Sequence, residues 1–370
     1  MWSSTEWRSG KGLIRGATLT LVTVLLPACA TGQGAVPPPD LVYVAVQGDA
    51  QVAVVDMATL EEVDRVDLQE LGFSSNAKPH HVAVEPDGSH WYVSLIGENR
   101  ILKFNRANEL EDRAEFEVPG MMAVHPSRDL LLVGRSMSAV NPPQRVGVVD
   151  RSGMDVEEVD VFFPRPHAIA VSADGTRMYT ASLAVNQIGV VDLDTEDMEL
   201  TDIPGEVHTL VQFAVSPDGR TLVATGQLTG RLLVFDMDDP DHPSLRTQVE
   251  VGGQPWHPVF SPDGRTVYFG IKVDNAVVAV DVATGAVVWR TRHEGIVAPH
   301  GAALSPDGAR LFVSSNGPGG MDMGGGAMAD HADHGGTMTG TLAVLDTRDG
   351  TVLKVLEMGT NTTGVGVAAR

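Results

Sequence analysis

The chain has 370 residues, a formal net charge of −22 and one cysteine, Cys29. So acidic a surface repels nucleic acid and anionic lipid and gathers cations or a basic partner. A lone cysteine excludes an internal disulfide and a thiolate metal site.

The first segment in chain order is not part of a fold. Arg8, Lys11 and Arg15 precede a short apolar run, "ATLTLVTVLL" (17–26), which is too short to span a bilayer. It leads into "LPAC", ending at Cys29. This resembles the lipobox of bacterial lipoproteins, which implies export, cleavage before Cys29 and lipidation of that residue. Two or more acyl chains anchor a protein stably. Residues 1–29 are expected to leave as a signal peptide, and residues 30–40, "ATGQGAVPPPD", read as a Pro-rich tether. Without residues 1–29, which carry three basic and one acidic side chain, the net charge is −24. The expected location is the bacterial cell envelope, facing periplasm or exterior, with membrane contact only through the anchor. No other apolar run is long enough to span.

From residue 41 onward a unit of about 45 residues repeats. One signature is a turn: "VEPDGSH" (84–90), "VHPSRDL" (124–130), "VSADGTR" (171–177), "VSPDGRT" (215–221), "FSPDGRT" (260–266) and "LSPDGAR" (304–310). Proline presets the first corner, Asp suits the second, and Gly takes the left-handed position. The other signature ends a strand: "VAVVD" (52–56), "ILKFN" (101–105), "VGVVD" (146–150), "IGVVD" (188–192), "LLVFD" (232–236), "VVAVD" (277–281) and "LAVLD" (342–346). Its aspartates read as turn-forming residues. There are seven copies of the second signature and six of the first. The start, "LVYVAV" (41–46), matches a second strand, and the end, "TTGVGVAA" (362–369), matches a first strand. The expectation is therefore an all-β, seven-bladed propeller over 41–370, with four-stranded antiparallel blades and a C-terminal strand that closes the first. "YVSLIGENRILKFN" (92–105), "YTASLAVNQIGVVD" (179–192) and "YFGIKVDNAVVAVD" (268–281) resemble the YVTN-type propeller repeat of bacterial envelope proteins. That resemblance implies the same fold and leaves the activity open.

Histidines recur at one place in the unit. Counting back from the turn proline, Pro79, Pro119, Pro166, Pro255 and Pro299 share one offset. The next position holds His80, His167 and His300, with Trp256 in another copy, and the one after holds His81 and His257. These positions begin the innermost strands, so they are expected to ring one mouth of the central channel. The connection between second and third strands returns to that mouth. In the last blade it is a Met/His-rich, glycine-rich insertion (317–339) carrying Met321, Met323, Met328, His331, His334 and Met338. Imidazole and thioether suit copper, Cu(I) above all. His90, His125, His242 and His293 fall on other strands or turns and are expected to do nothing special.

Two family resemblances give the alternatives. The strand-start histidines with the "HH" doublet resemble the propeller of nitrous oxide reductase, which implies copper ligation by His80, His81, His167, His257 and His300. No cupredoxin segment or cysteine pair accompanies them in this sequence, so copper binding without reductase activity is expected. "RPHAIAVSADG" (165–175) and "APHGAALSPDG" (298–308) resemble lactonase-type propellers, which implies carbonyl polarisation or water activation by Arg165 and His167. The expectation is a binding module with no catalytic residues, holding a metal ion, copper favoured, and passing it to an envelope protein. The alternatives are a metal-free interaction scaffold and a lactonase-like hydrolase.

Overall fold

The computed structural model describes residues 40–318 and 339–368. The signal segment, Cys29, the tether through residue 39, and Met321, Met323, Met328, His331, His334 and Met338 lie outside the described residues. Among the described residues, seven four-stranded antiparallel sheets follow one another along the chain, with a single 3₁₀ turn at Gln47–Asp49. Burial grades from the axis outward. Every residue of Leu41–Val46, a second strand, is buried, because blades pack on both faces of it. The outer strand Val156–Asp160 is largely open on both faces and correspondingly charged.

The ring closes as the unequal signature counts require. Thr362–Ala368 pairs antiparallel with Leu41–Val46, Leu41 opposite Ala368 and Val44 opposite Val365, and so becomes the inner strand of the first blade. Closure pairs Leu41–Val46 on both edges and gives the first blade the same four strands as the others. Beside it, Tyr43 stacks on Trp91 at 4.7 Å and Trp91 on Phe104 at 4.2 Å, tying the first blade to the second. Aromatic side chains of this size carry the largest apolar areas in a core.

The repeated turns have a common construction. In "SPDG" the serine hydroxyl donates to the aspartate, 2.6 Å for Ser216 to Asp218, and accepts from the N–H of Thr221 at 3.0 Å. Gly219 takes a φ of 72°, open to glycine at no steric cost. Asp218 is held below the usual carboxylate range, first by Ser216 and then by the Arg220 N–H. At the other signature, Asp56 accepts from the N–H groups of Ala58 and Thr59, each at 2.8 Å, and Asn105 does the same for Ala107 and Glu109. Asp236 differs, since it accepts from Arg246 at 2.7 Å.

The channel mouth carries a feature with no signature of its own. In six blades the residue just before the inner strand has a positive φ, Lys78, Val118, Arg165, Thr209, Ala298 and Asn361, and in the sixth the equivalent repeat position, Gln254, has one too, all between 46° and 60°. Five of them precede proline, which locally favours extended backbone. A hydrogen bond holds each in place. Its carbonyl accepts from the N–H of the residue that follows the second strand, as Gln254 does from Lys272 at 2.9 Å and Ala298 from Asn316 at 3.1 Å. The register then shifts at the start of the inner strand, for example between Pro79 and Val82 and between Pro299 and Ala302. Such an irregularity re-aims the next side chains, and here those are the histidines.

Candidate ligand site at the channel mouth

The strained rim brings four of the expected histidines into one cluster. His257 and His300 stand 4.8 Å apart between ring centroids, His80 and His300 5.2 Å, and His81 and His257 6.0 Å, each pair nearly edge-on. They come from the second, sixth and seventh blades. His167, from the fourth blade, is close enough for its charge to be felt at His80, His81 and His257. One expectation about position changes. The inner strand of the sixth blade begins at Val259, not at Pro255, so His257 sits before it. Pro258 has no N–H to give to the ladder, which leaves only an isolated bridge from Pro255 to Ile271.

Partners fix three tautomers and leave nitrogens unused. His167 Nδ1 donates to the Arg135 carbonyl at 2.6 Å, and His80 Nδ1 to Gln47 Oε1 at 3.0 Å. The Nε2 lone pair of each is then free, and both Nε2 atoms are buried without a hydrogen-bond partner. His257 Nε2 and His300 Nδ1 are orphaned in the same way. His81 differs: its Nδ1 accepts from the Met122 N–H at 3.3 Å, which puts the proton on Nε2. Burial, ahead of the neighbouring positive groups, pushes His80 down to about 3. Burial also holds His81 and His167 at about 4 and keeps His257 and His300 well below the ordinary imidazole value. At neutral pH all five rings are uncharged, the form that ligates metals.

The sequence pattern did not single out three side chains beside them. Gln47, Lys272 and Asn316 each follow directly on a second strand, so they share a repeat position without sharing a residue type. With His80, His300 and Trp256 they line a cavity of about 20 Å³. Trp256 stacks on His300 at 4.6 Å, and Lys272 Nζ lies 4.7 Å from the Trp256 ring centroid. Lys272 is 5% exposed, and burial pushes it down to about 8 with no carboxylate to offset the cost. Among the described residues, no Asp or Glu lines this cavity, and no group of three or more His, Cys, Asp or Glu side chains is gathered to hold a metal ion as the rings stand.

The other expectations resolve individually. Arg165 points its guanidinium to the Met137 carbonyl at 2.8 Å. His208 is buried against Thr229 at 2.8 Å, away from the cluster. His125 Nε2 meets the Gly175 carbonyl at 2.7 Å, and His90 lies between Glu85 and Glu111. His242 pairs with Asp239, and His293 accepts the Gly295 N–H. Asn316, the last residue before the Met/His-rich insertion in the sequence, lines the cavity, and the methionines and histidines of the insertion lie outside the described residues.

No protein-family model matches this chain. A 148-residue stretch is 31% identical to 6-phosphogluconolactonase of Enterobacter sp. (strain 638); it covers 37% of this chain and 42% of that enzyme. Among solved structures, a functionally unknown protein from Desulfotomaculum acetoxidans superposes with a TM-score of 0.68 at 14% identity, over 89% of this chain and 98% of that one. Hydrazine synthase of Kuenenia stuttgartiensis gives 0.62 at 19% identity, over 78% of this chain and 89% of that one. At such identities these likenesses concern the fold.

Proposed function

We propose that this is an envelope-anchored propeller, lipidated at Cys29, whose channel mouth binds a metal ion, with Cu(I) favoured, for transfer to an envelope partner. One observation carries the reading: His80, His257 and His300 meet in a buried cluster with nitrogens that have no hydrogen-bond partner. Buried polar atoms left in that state are rare and call for a ligand, water or ion. Metal–nitrogen bonds of about 2.0–2.1 Å put the centroids of two imidazoles on one ion roughly 4.5–6 Å apart, which matches the observed 4.8 and 5.2 Å. The nitrogens are not gathered round one point, so binding requires the rings to turn about their Cβ–Cγ bonds. Charge selects the ion. With Lys272 beside the cluster and no carboxylate in the cavity wall, a monovalent soft ion costs less to bring in than a divalent one. The acidic exterior would concentrate cations, and Met321, Met323, Met328, His331, His334 and Met338 would supply first contacts.

The test is Cu(I) competition against a coloured chelator, using protein free of a histidine tag. The expected result is one tightly held ion in the wild type. Affinity should fall at least tenfold in each of His80→Asn, His257→Gln and His300→Gln, and stay unchanged in His242→Gln. Stoichiometry and affinity unaffected by the first three changes, with residues 317–338 also deleted, would overturn the reading.

The local likeness to 6-phosphogluconolactonase favours a second reading, hydrolysis of a sugar lactone at the same mouth. There a neutral buried imidazole such as His167, with its free Nε2, would activate water. Turnover of 6-phosphogluconolactone, lost in His167→Asn, would establish it; no turnover across a lactone panel would remove it.

A further inference from the structure

Lys272 is an ammonium placed where the metal reading has least use for one. It is 5% exposed, and no ion pair offsets its burial. Two other atoms of the same wall are polar and unused. Trp256 Nε1, a pure donor, is buried without a partner, and so is Asn316 Oδ1, a pure acceptor whose amide nitrogen is already given to the Thr362 carbonyl at 2.8 Å. Trp256 itself is fixed between Lys272 and His300. The wall thus offers one positive charge, one N–H and one lone pair, in a cavity of about 20 Å³ that admits only a few heavy atoms.

We propose that this cavity binds a small monovalent oxyanion that carries one hydroxyl, of which hydrogencarbonate is the smallest common example. Its charge faces Lys272, one oxygen accepts from the Trp256 N–H, and its hydroxyl donates to Asn316 Oδ1. Charge-assisted hydrogen bonds of this kind are about twice as strong as neutral ones. A buried ammonium also gains more from an anion than an exposed one does. The site uses none of the histidine nitrogens assigned to the metal, but His80 and His300 line the same cavity, so the anion is proposed for the metal-free protein.

The experiment is calorimetric titration of the metal-free full-length protein at pH 7 and fixed ionic strength in a closed cell, with hydrogencarbonate and, separately, nitrate. Nitrate has the same planar shape and charge but no hydroxyl. Saturable one-site binding of hydrogencarbonate is expected, at least tenfold tighter than nitrate. Lys272→Met should weaken hydrogencarbonate at least tenfold, and Trp256→Phe, which keeps an aromatic ring and lacks the N–H, at least threefold. Circular dichroism of both variants should match the wild type. A change of tryptophan fluorescence on adding hydrogencarbonate to the wild type, lost in Trp256→Phe, gives a second readout. Absence of saturable binding and of the fluorescence change in the wild type would overturn the proposal. So would equal affinity in a folded Lys272→Met protein, or nitrate binding as tightly as hydrogencarbonate.

Discussion

The buried imidazoles make stability a function of pH. His80 is pushed down to about 3, and His81 and His167 to about 4, chiefly by burial. Unfolding returns each to the ordinary value of about 6.5. Between those values the unfolded chain binds more protons than the folded one, so folded-state stability is complete above about pH 6.5 and declines as pH falls toward 4. The slope is about 1.4 kcal/mol per pH unit for each histidine that behaves this way. Denaturant midpoints measured from pH 7 to 4.5 should fall steadily. In His167→Asn, which keeps a donor for the Arg135 carbonyl, the fall should be shallower by about one such increment. A parallel dependence in wild type and variant would show that His167 is not neutral because of the fold. The histidines were legible in the sequence because they recur at one offset beside proline. Lys272, Gln47 and Asn316 were not, because one repeat position holds an ammonium and two amides, and nothing in residue type relates them.

At the scale of elements, the strand-opening residues with positive φ are a stored cost. For a β-branched residue the left-handed region is especially unfavourable, and Val118 sits there at 46°. Its carbonyl still accepts the Ser136 N–H at 2.8 Å, a bond that any residue can make. Val118→Asn should therefore stabilise the protein by about 0.5–1 kcal/mol, since Asn tolerates this region and keeps the bond. A lower unfolding midpoint in that variant would mean that packing of the valine outweighs the strain. Gly219→Ala tests the opposite case. Its φ of 72° is native to glycine, so the change should cost about 1–2 kcal/mol. These rim residues also explain part of what the sequence concealed. Lys78, Val118, Arg165, Gln254 and Ala298 all precede proline, where the local rule argues for extended backbone. The tertiary hydrogen bond to the neighbouring strand end overrides that rule, and only the assembled blade supplies it. The PDG turns and the aspartate-closed strands were readable because their bonds are local, spanning two to five residues.

Across the whole molecule, charge and chemistry occupy different radii. The outer strands of the first four blades are acidic: Glu61, Glu62, Asp64 and Asp67 in the first, Glu111, Asp112 and Glu115 in the second, Glu157, Glu158 and Asp160 in the third, and Glu199 and Asp202 in the fourth. The outer strand of the sixth blade carries Arg290 and Arg292 instead. Ring closure was deducible from strand counts, but this lopsided rim follows only once the strands are assigned radii. Its carboxylates face solvent, so their mutual repulsion is screened within about 10 Å at 0.1 M salt. The histidine cluster lies in the channel, shielded by three strands of each blade, and its interactions escape such screening. Raising sodium chloride from 0.02 to 0.5 M should therefore raise the thermal midpoint, because repulsion across the acidic half of the rim relaxes. The same change should leave the pH dependence between 6.5 and 4.5 with the same slope, because burial sets it. Replacing Glu62, Asp112, Glu157 and Glu199 with Gln should reproduce most of the salt effect at low ionic strength. If salt instead flattened the pH dependence, the imidazoles would be answering to the rim's field rather than to their burial; a thermal midpoint left unmoved would mean that repulsion across the rim costs the fold nothing.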